Sequence, residues 1–230
     1  MITIISLAWN QYNITKEFLE RLKRYTDIEH ELIFTDNGSV EPISDLVREI
    51  YPNAILIRED KNIGCPATRN KSMEFAKSDI VFWLDNDTMV DSGWYIPFLN
   101  NLKAHVGITG IDGRRVGRPF KTKTMNPWVT DPYLRCDWFA GYAVAFQRKA
   151  YRPIDDWGLM VGMDDVDLGV GIKKNGYTTR TIFEKVQLTH LGGTTSKLVQ
   201  PSVDQQRDAL LRWWKYWGKY KYILFGEYYY

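Results

Sequence analysis

The sequence predicts an α/β fold: a mostly parallel central sheet with helices on both faces, followed by a C-terminal helical extension. Three observations predict it. The first half of the chain alternates β-rich runs with helical patterns, the signature of a parallel sheet with crossover helices. The run Ile80-Val81-Phe82-Trp83-Leu84 is apolar throughout, as a strand buried on both faces must be. Polar turns close the strands at Asp36-Asn37-Gly38-Ser39 and Asp85-Asn86-Asp87, on the rim where open α/β sheets bind ligands.

The elements follow in order. Residues 1–8 read as a β-rich strand. Residues 13–25 place Ile14, Phe18, Leu19 and Leu22 at helical spacing, with Asn13 as the cap. Strands are predicted at 31–35, 54–58 and 80–84, and helices at 43–50 and from Gly64 to about Ala76. A right-handed crossover sets the hand of the sheet. The second half is less regular. A helix at 94–102 precedes strands at 106–111 and 138–146. A helix at 164–175 is stopped by Gly176. Closing strands are predicted at 178–183 and 186–190, and a helix from Val203 through Trp217.

Length and composition bound the function. A chain of 230 residues supports one sizeable core, and 44% hydrophobic with 25% charged residues is ordinary for a soluble globular protein. The net charge of +2 leaves no broad field for nucleic acid, so no nucleic-acid partner is expected. Cys65 and Cys136 form neither a disulfide framework nor a metal spacing, which fits a reducing compartment. The run from Ile2 to Leu7 does not read as a signal peptide, so none is expected, and no apolar run approaches the roughly 20 residues that span a bilayer. A soluble, cytoplasmic protein is expected, with peripheral contact to a membrane as an alternative.

The candidate chemistry is acidic. If strand geometry persists past Leu84, Asp85 and Asp87 point the same way. Two convergent carboxylates repel unless a cation joins them, and a hard divalent ion shared with substrate phosphates answers that need. An ordinary Asp-Asn-Asp turn is the alternative. Asp36 could accept from a base or a ribose, with Gly38 letting the backbone turn closely, or the segment is simply an Asn-Gly turn. Asn62, Gly64, Arg69 and Asn70 cluster at a helix start. Arg69 could reach a pyrophosphate, lock Asp36 or Asp85, or form an ordinary helix salt bridge. Asp164, Asp165 and Asp167 exceed what helix capping needs. Asp165 is the choice for a general base, Asp164 for acceptor contact, and Asp167 is expected to point back into the fold. His190 ends a strand ahead of Gly192-Gly193, which suits a third metal ligand beside a closing loop; a solvated His is the alternative.

These motifs, in this order, resemble the GT-A fold glycosyltransferases, in particular the inverting enzymes of family 2. The resemblance covers about residues 2–195. It rests on Trp9-Asn10, Asp36-Asn37-Gly38-Ser39, Asn62-Ile63-Gly64 with Ala67-Thr68-Arg69-Asn70, Asp85-Asn86-Asp87, Trp138-Phe139-Ala140-Gly141-Tyr142-Ala143 before Arg148, Asp164-Asp165-Val166-Asp167-Leu168 and His190. It implies a Rossmann-like sheet, with a nucleotide-sugar-binding half at about 1–103 and an acceptor half at about 104–200. Residues 201–230 are left as an aromatic, basic extension.

The resemblance also implies roles. Ala8 and Asn10 would line the nucleoside pocket and Asp36 would contact the base. Asn62, Gly64, Arg69 and Asn86 join them in the donor-binding set. Asp85 would face ribose and metal, and Asp87 would bind the Mn²⁺ or Mg²⁺ that bridges the diphosphate of a UDP- or GDP-linked sugar. His190 matches the C-terminal metal ligand, Asp165 the catalytic base, and Gly141 the floor beneath the acceptor, a glycan or glycolipid hydroxyl. The chain departs from the family where Asp164-Asp165 replaces the usual Glu-Asp. Gln205-Gln206-Arg207 and Arg212-Trp213-Trp214 only echo the family's Gln-x-x-Arg-Trp segment, and its role is not transferred.

Three questions stay open at this level. The basic segment from Asp112 to Thr124 could close over phosphates or grip an acidic acceptor. The segment Trp213 to Tyr222 suits packing, a homodimer contact, a membrane interface or stacking on sugar. Two rival functions are a nucleotidyltransferase on sugar phosphates and a non-catalytic nucleotide-sugar-binding module. The first would carry a Gly-rich basic loop where Trp9-Asn10-Gln11-Tyr12 stands. Intact acids at 85, 87 and 165 count against the second.

Overall fold

The computed structural model describes residues 1–114, 136–160, 162–192 and 202–218. In chain order the elements of the first half are β1 (Ile2–Ala8), α1 (Tyr12–Tyr25), β2 (His30–Asp36), α2 (Ile43–Ile50), β3 (Ile55–Arg58), α3 (Cys65–Met73), β4 (Ile80–Leu84), β5 (Thr88–Val90) and α4 (Ile96–Asn101). The second half adds β6 (Val106–Gly110), β7 (Gly113–Arg114), β8 (Trp138–Phe139), β9 (Ala143–Gln147), α5 (Asp164–Lys174), β10 (Thr178–Thr181), β11 (Leu188–His190) and α6 (Val203–Trp217). The basic segment beyond Arg114, the loop from Gly193 to Ser196 and the tail beyond Gly218 lie outside the described residues.

Seven strands form the central sheet in the order β10-β6-β9-β4-β1-β2-β3. Every pairing is parallel except those of β9, which runs antiparallel between β4 and β6. Side-chain alternation along each strand feeds two cores. Ile4, Phe34, Phe82, Leu84 and Ala145 pack on one face with Phe18, Leu22 and Val47 of α1 and α2. Ile5, Ile33, Val81, Trp83 and Phe146 pack on the other with Met73 of α3 and Leu168 and Ile172 of α5. This is why the fourth strand shows no polar alternation: it has no solvent face. Burying each such side chain contributes roughly 1.5–3 kcal/mol.

Several expected boundaries move. The N-cap of α1 is Gln11, in a left-handed conformation with no side-chain cap, and Asn13 lies inside the helix. The helix α3 ends at Met73, and i→i−3 bonds carry the turn on to Ala76. The expected strand at 138–146 is two strands. β8 pairs with β7, the chain turns through Ala140–Tyr142, and β9 then enters the sheet. The strand expected at 186–190 does not close the central sheet. Its ordered part, β11, pairs antiparallel with β5 in a separate two-stranded sheet.

The C-terminal helix α6 begins with a capping box formed by Ser202 and Gln205. It buries Ala209, Trp213 and Trp217 against Trp138, Trp157, Val166 and Val170. Trp217 Nε1 donates to Asp167 Oδ1 at 2.7 Å, so Asp167 does point back into the fold. The aromatic segment through Trp217 therefore packs on its own domain, on the helix that carries Asp164 and Asp165. No helix among the described residues is long and apolar enough to cross a membrane.

Candidate active site

β4 stops at Leu84, and a turn closed by Thr88 N–H donating to the Asp85 carbonyl (3.0 Å) follows it. Asp85 and Asp87 therefore do not share a strand face, as the sequence suggested. They converge through the turn. β5 leaves this turn and pairs with β11 in a register that sets His190 opposite Thr88. The Leu191 N–H donates to the Asp87 carbonyl at 3.0 Å. One ligand atom each from Asp85, Asp87 and His190 then lie within 4.8 Å of one another. His190 Nε2 stands 3.2 Å from Asp87 Oδ1.

Arg69 connects this cluster to the acids of α5. Its guanidinium is buried in α3, 4.6 Å above the Trp83 ring. It donates to Asp85 Oδ1 at 2.8 Å, to the Gly141 carbonyl at 3.2 Å and to Asp164 Oδ2. Of the roles considered for Arg69, the lock on Asp85 is observed, and Asp36 is held by Arg58 instead. Asp164 is thus an ion-pair partner of Arg69 at the start of α5. Asp165, beside it, accepts from the Val166 N–H at 2.8 Å. Gly141 lies close against both: a Cβ on it would lie 3.0 Å from Arg69 Nη1 and 3.2 Å from the Asp165 Cβ. That crowding explains why a glycine stands at the turn between β8 and β9.

The remaining candidate residues form a loop network at the ends of β1, β2 and β3. Asn10 N–H donates to Ser39 Oγ at 2.8 Å, and Asn10 Oδ1 accepts from the Val40 N–H at 2.8 Å. Asn37 Nδ2 donates to Asn62 Oδ1 at 3.0 Å, and Asn37 Oδ1 accepts from the Ile63 N–H at 3.0 Å. Asn62 Oδ1 also accepts from the Gly64 N–H at 2.9 Å, at the entrance to α3. Asn86 Nδ2 donates to Thr15 Oγ1 at 2.9 Å, tying the acidic turn to α1. Ala8 is core, and its carbonyl accepts from the Asn37 N–H at 2.8 Å. Asp36 is fully buried, with Oδ1 taken by the Ser39 N–H and Oδ2 by Ser44 and Arg58. These donors hold its carboxyl below the usual range against the opposing effect of burial, which is the largest single influence on it. Ala8 and Asp36 are buried beneath this network.

Gly38 in this network has φ +76. A Cβ on it would stand 2.6 Å from the Asn62 nitrogen and closer still to the Lys61 carbonyl carbon. Gly38→Ala is expected to destabilise the protein by at least ~1–3 kcal/mol, read as a fall in thermal midpoint, because both the backbone conformation and the space oppose it.

Residues 3–160, more than half of the chain, match the model of the family described as glycosyl transferase family 2. The chain belongs to glycosyl transferase family 2. No curated protein matches it closely enough to add to that. Among solved structures, GalNAc-T7 crystallised with UDP, GalNAc and Mn²⁺ superposes with a TM-score of 0.66 at 13% identity, over 96% of this chain and 50% of that one. TarS residues 1–349 from S. aureus gives 0.60 at 12% identity, over 97% and 80%. The mannosyltransferase PcManGT from Pyrobaculum calidifontis, solved with GDP-Man and Mn²⁺, gives 0.60 at 20% identity, over 78% and 54%. These likenesses show a shared GT-A fold. This family 2 chain spans about half the length of the GalNAc-T7 and PcManGT chains.

The donor set in this family 2 chain fits a divalent cation on chemical grounds. Two carboxylates and one imidazole from separate segments converge. The hydrogen bond to Asp87 raises the pKa of His190, with burial opposing and Asp85 adding. Burial pushes the Asp85 carboxyl up to about 6, with Asp87 and Asp164 adding to that and Arg69 opposing it. On α5, burial and the adjacent Asp164 carboxylate push the Asp165 carboxyl up to about 7.

The sequence reading missed Arg58, Ser44, Thr15 and Tyr142. Arg58 had a signal, since it stands in register with Asp36 on the neighbouring strand, but that pairing is visible only once β2 and β3 are adjacent. Tyr142 was inside a recognised motif without a role of its own.

Proposed function

We propose that the chain moves a sugar from a nucleotide-diphosphate donor to an acceptor hydroxyl with inversion of the anomeric centre. The observation that supports this best is the single junction at Arg69, which joins the Asp85–Asp87–His190 cluster to Asp164, the neighbour of Asp165. One end suits a donor's diphosphate, and the other suits the activation of an alcohol. Asp85, Asp87 and His190 would hold Mn²⁺ or Mg²⁺. When bound, the ion neutralises charge that gathers on the departing diphosphate.

The loop network of Asn10, Ser39, Asn62 and Gly64, with Asp36 and Ala8 beneath it, positions the nucleoside of a UDP- or GDP-linked sugar. Asp165 accepts the proton of the acceptor hydroxyl as its oxygen bonds to the anomeric carbon. The bond from that carbon to the phosphate oxygen breaks on the opposite face, and its electron pair leaves with the nucleoside diphosphate. A raised pKa suits Asp165 to this work, since a base matched to the operating pH is the most effective one. Arg69 fixes Asp164 and leaves its neighbour Asp165 as the available carboxylate. The acceptor is read as a glycan or glycolipid. The half from about 104 to 200 is read as its platform and residues 201–230 as the extension behind it.

Two measurements test the proposal. Mn²⁺ should enhance the thermal shift produced by UDP- or GDP-sugars, and Asp87→Ala should abolish that metal-dependent part. Donor turnover should release nucleoside diphosphate, and NMR of the product should show the inverted anomer. Release of pyrophosphate, or a retained anomer, would refute the reading.

A further inference from the structure

The three candidate metal ligands come from two different strand pairs, so something must hold the pairs together. Asp85 and Asp87 follow β4 of the central sheet, whereas His190 ends β11 of the small sheet. Residue Tyr142, at the turn before β9, touches both sides. Its carbonyl accepts from the Asp85 N–H at 3.0 Å and from Thr88 Oγ1 at 3.1 Å, bracketing the acidic turn. Its ring lies flat on the His190 imidazole, with centroids 4.2 Å apart and planes 8° from parallel.

We infer that Tyr142 is a positioning residue for the metal centre: its ring fixes the plane of the His190 imidazole so that Nε2 faces Asp87. The inference rests on the reading of Asp85, Asp87 and His190 as metal ligands. A metal-binding imidazole is usually oriented by a hydrogen bond to its other nitrogen. Among the described residues no such bond to Nδ1 competes for the orientation, and Nε2 is the atom that faces Asp87. A stacked face does the same work, because rotating the imidazole out of plane would lose the contact over its whole area. Aromatic pairs of this kind contribute a factor of roughly three to ten in an equilibrium constant. Tyr142 does this without being a ligand, and any flat aromatic ring at the position would serve.

The test compares Tyr142→Phe, Tyr142→Leu, His190→Ala and the double variant Tyr142→Leu/His190→Ala. Mn²⁺ affinity is measured by titration calorimetry on the full chain, with folding checked by circular dichroism. Tyr142→Phe should bind Mn²⁺ within about twofold of the parent, and Tyr142→Leu should bind it roughly three- to tenfold more weakly. In the His190→Ala background, Tyr142→Leu should cost nothing further. A second readout comes from the metal-free protein. The chain has only three histidines, so the imidazole Hε1 resonance of His190 can be assigned. It should move downfield in Tyr142→Leu, where the shielding ring is gone, and stay in place in Tyr142→Phe.

Equal losses for Tyr142→Leu with and without His190 would overturn the inference, since the ring would not be acting through the imidazole. An unmoved resonance would overturn it as well. If His190→Ala itself left Mn²⁺ affinity unchanged, the ligand assignment would fail first, and the inference with it. If His190→Ala weakened binding while Tyr142→Leu did not, only the inference would fail. If Tyr142→Leu did not fold, the Phe variant alone would decide: its Hε1 resonance should match the parent, and a shift there would sink the idea.

Discussion

Asp165→Asn is expected to lower kcat by about 10²–10⁴-fold, the usual contribution of a positioned general base. The amide keeps the shape of the carboxylate and its hydrogen bond from the Val166 N–H, but it cannot take the acceptor's proton. Donor and Mn²⁺ affinity should stay within a few-fold, because the Asp85–Asp87–His190 cluster lies on the other side of Arg69. The parent enzyme should also show an acidic limb in kcat/KM. The reactive form is the ionised carboxylate, and its pKa is raised to about 7 by burial and by Asp164. Protonation as pH falls through about 7 removes the base, so the rate should drop about tenfold per pH unit below that point. The limb should vanish in Asp165→Asn. A variant with normal turnover, or an unchanged limb, would move the role to another residue.

Arg69→Met is the substitution with the largest expected effect on stability, a loss of roughly 3–5 kcal/mol in urea unfolding. Arg69 and Asp164 are both nearly inaccessible, at 6% and 7% side-chain exposure, and removing the cation leaves that carboxylate buried without its partner. Asp85, at 36%, is more exposed than Asp164 and contributes less. Met preserves much of the apolar contact with Trp83, so the loss reports the charge and not the volume. Arg69→Lys should recover only part of it, because a single ammonium cannot serve Asp85, Asp164 and the Gly141 carbonyl at once. A loss under about 1 kcal/mol in Arg69→Met would mean that the Arg69–Asp164 pair does not hold this junction together.

Much of the site was legible because its residues lie in local patterns. The apolar run before Asp85 marked a doubly buried strand, and the acids after it marked the rim. Asp164 and Asp165 announced themselves by exceeding what a helix start requires. His190 was legible only as a strand end before glycine. The sequence could not say that β11 pairs with β5, and that pairing is what brings the imidazole to Asp87. The partners of Asp36 were hidden for a related reason: Arg58 and Ser44 meet it only once β2, β3 and α2 are packed together. The break at Ala140–Tyr142 was invisible because each half is apolar enough to continue. The two halves part because β8 pairs with β7 while β9 pairs with β4 and β6.

The amino-acid order by itself determined the α/β class, the buried strands, most helix positions and the identity of the acids. Those follow from side-chain periodicity and turn chemistry, which act over a few residues. Only the tertiary structure decided which acids meet, which are neutralised internally and which ring stacks on the histidine. Those outcomes depend on contacts between residues such as Arg69 and Asp164, or Tyr142 and His190, that are far apart along the chain and have no local pattern to betray them.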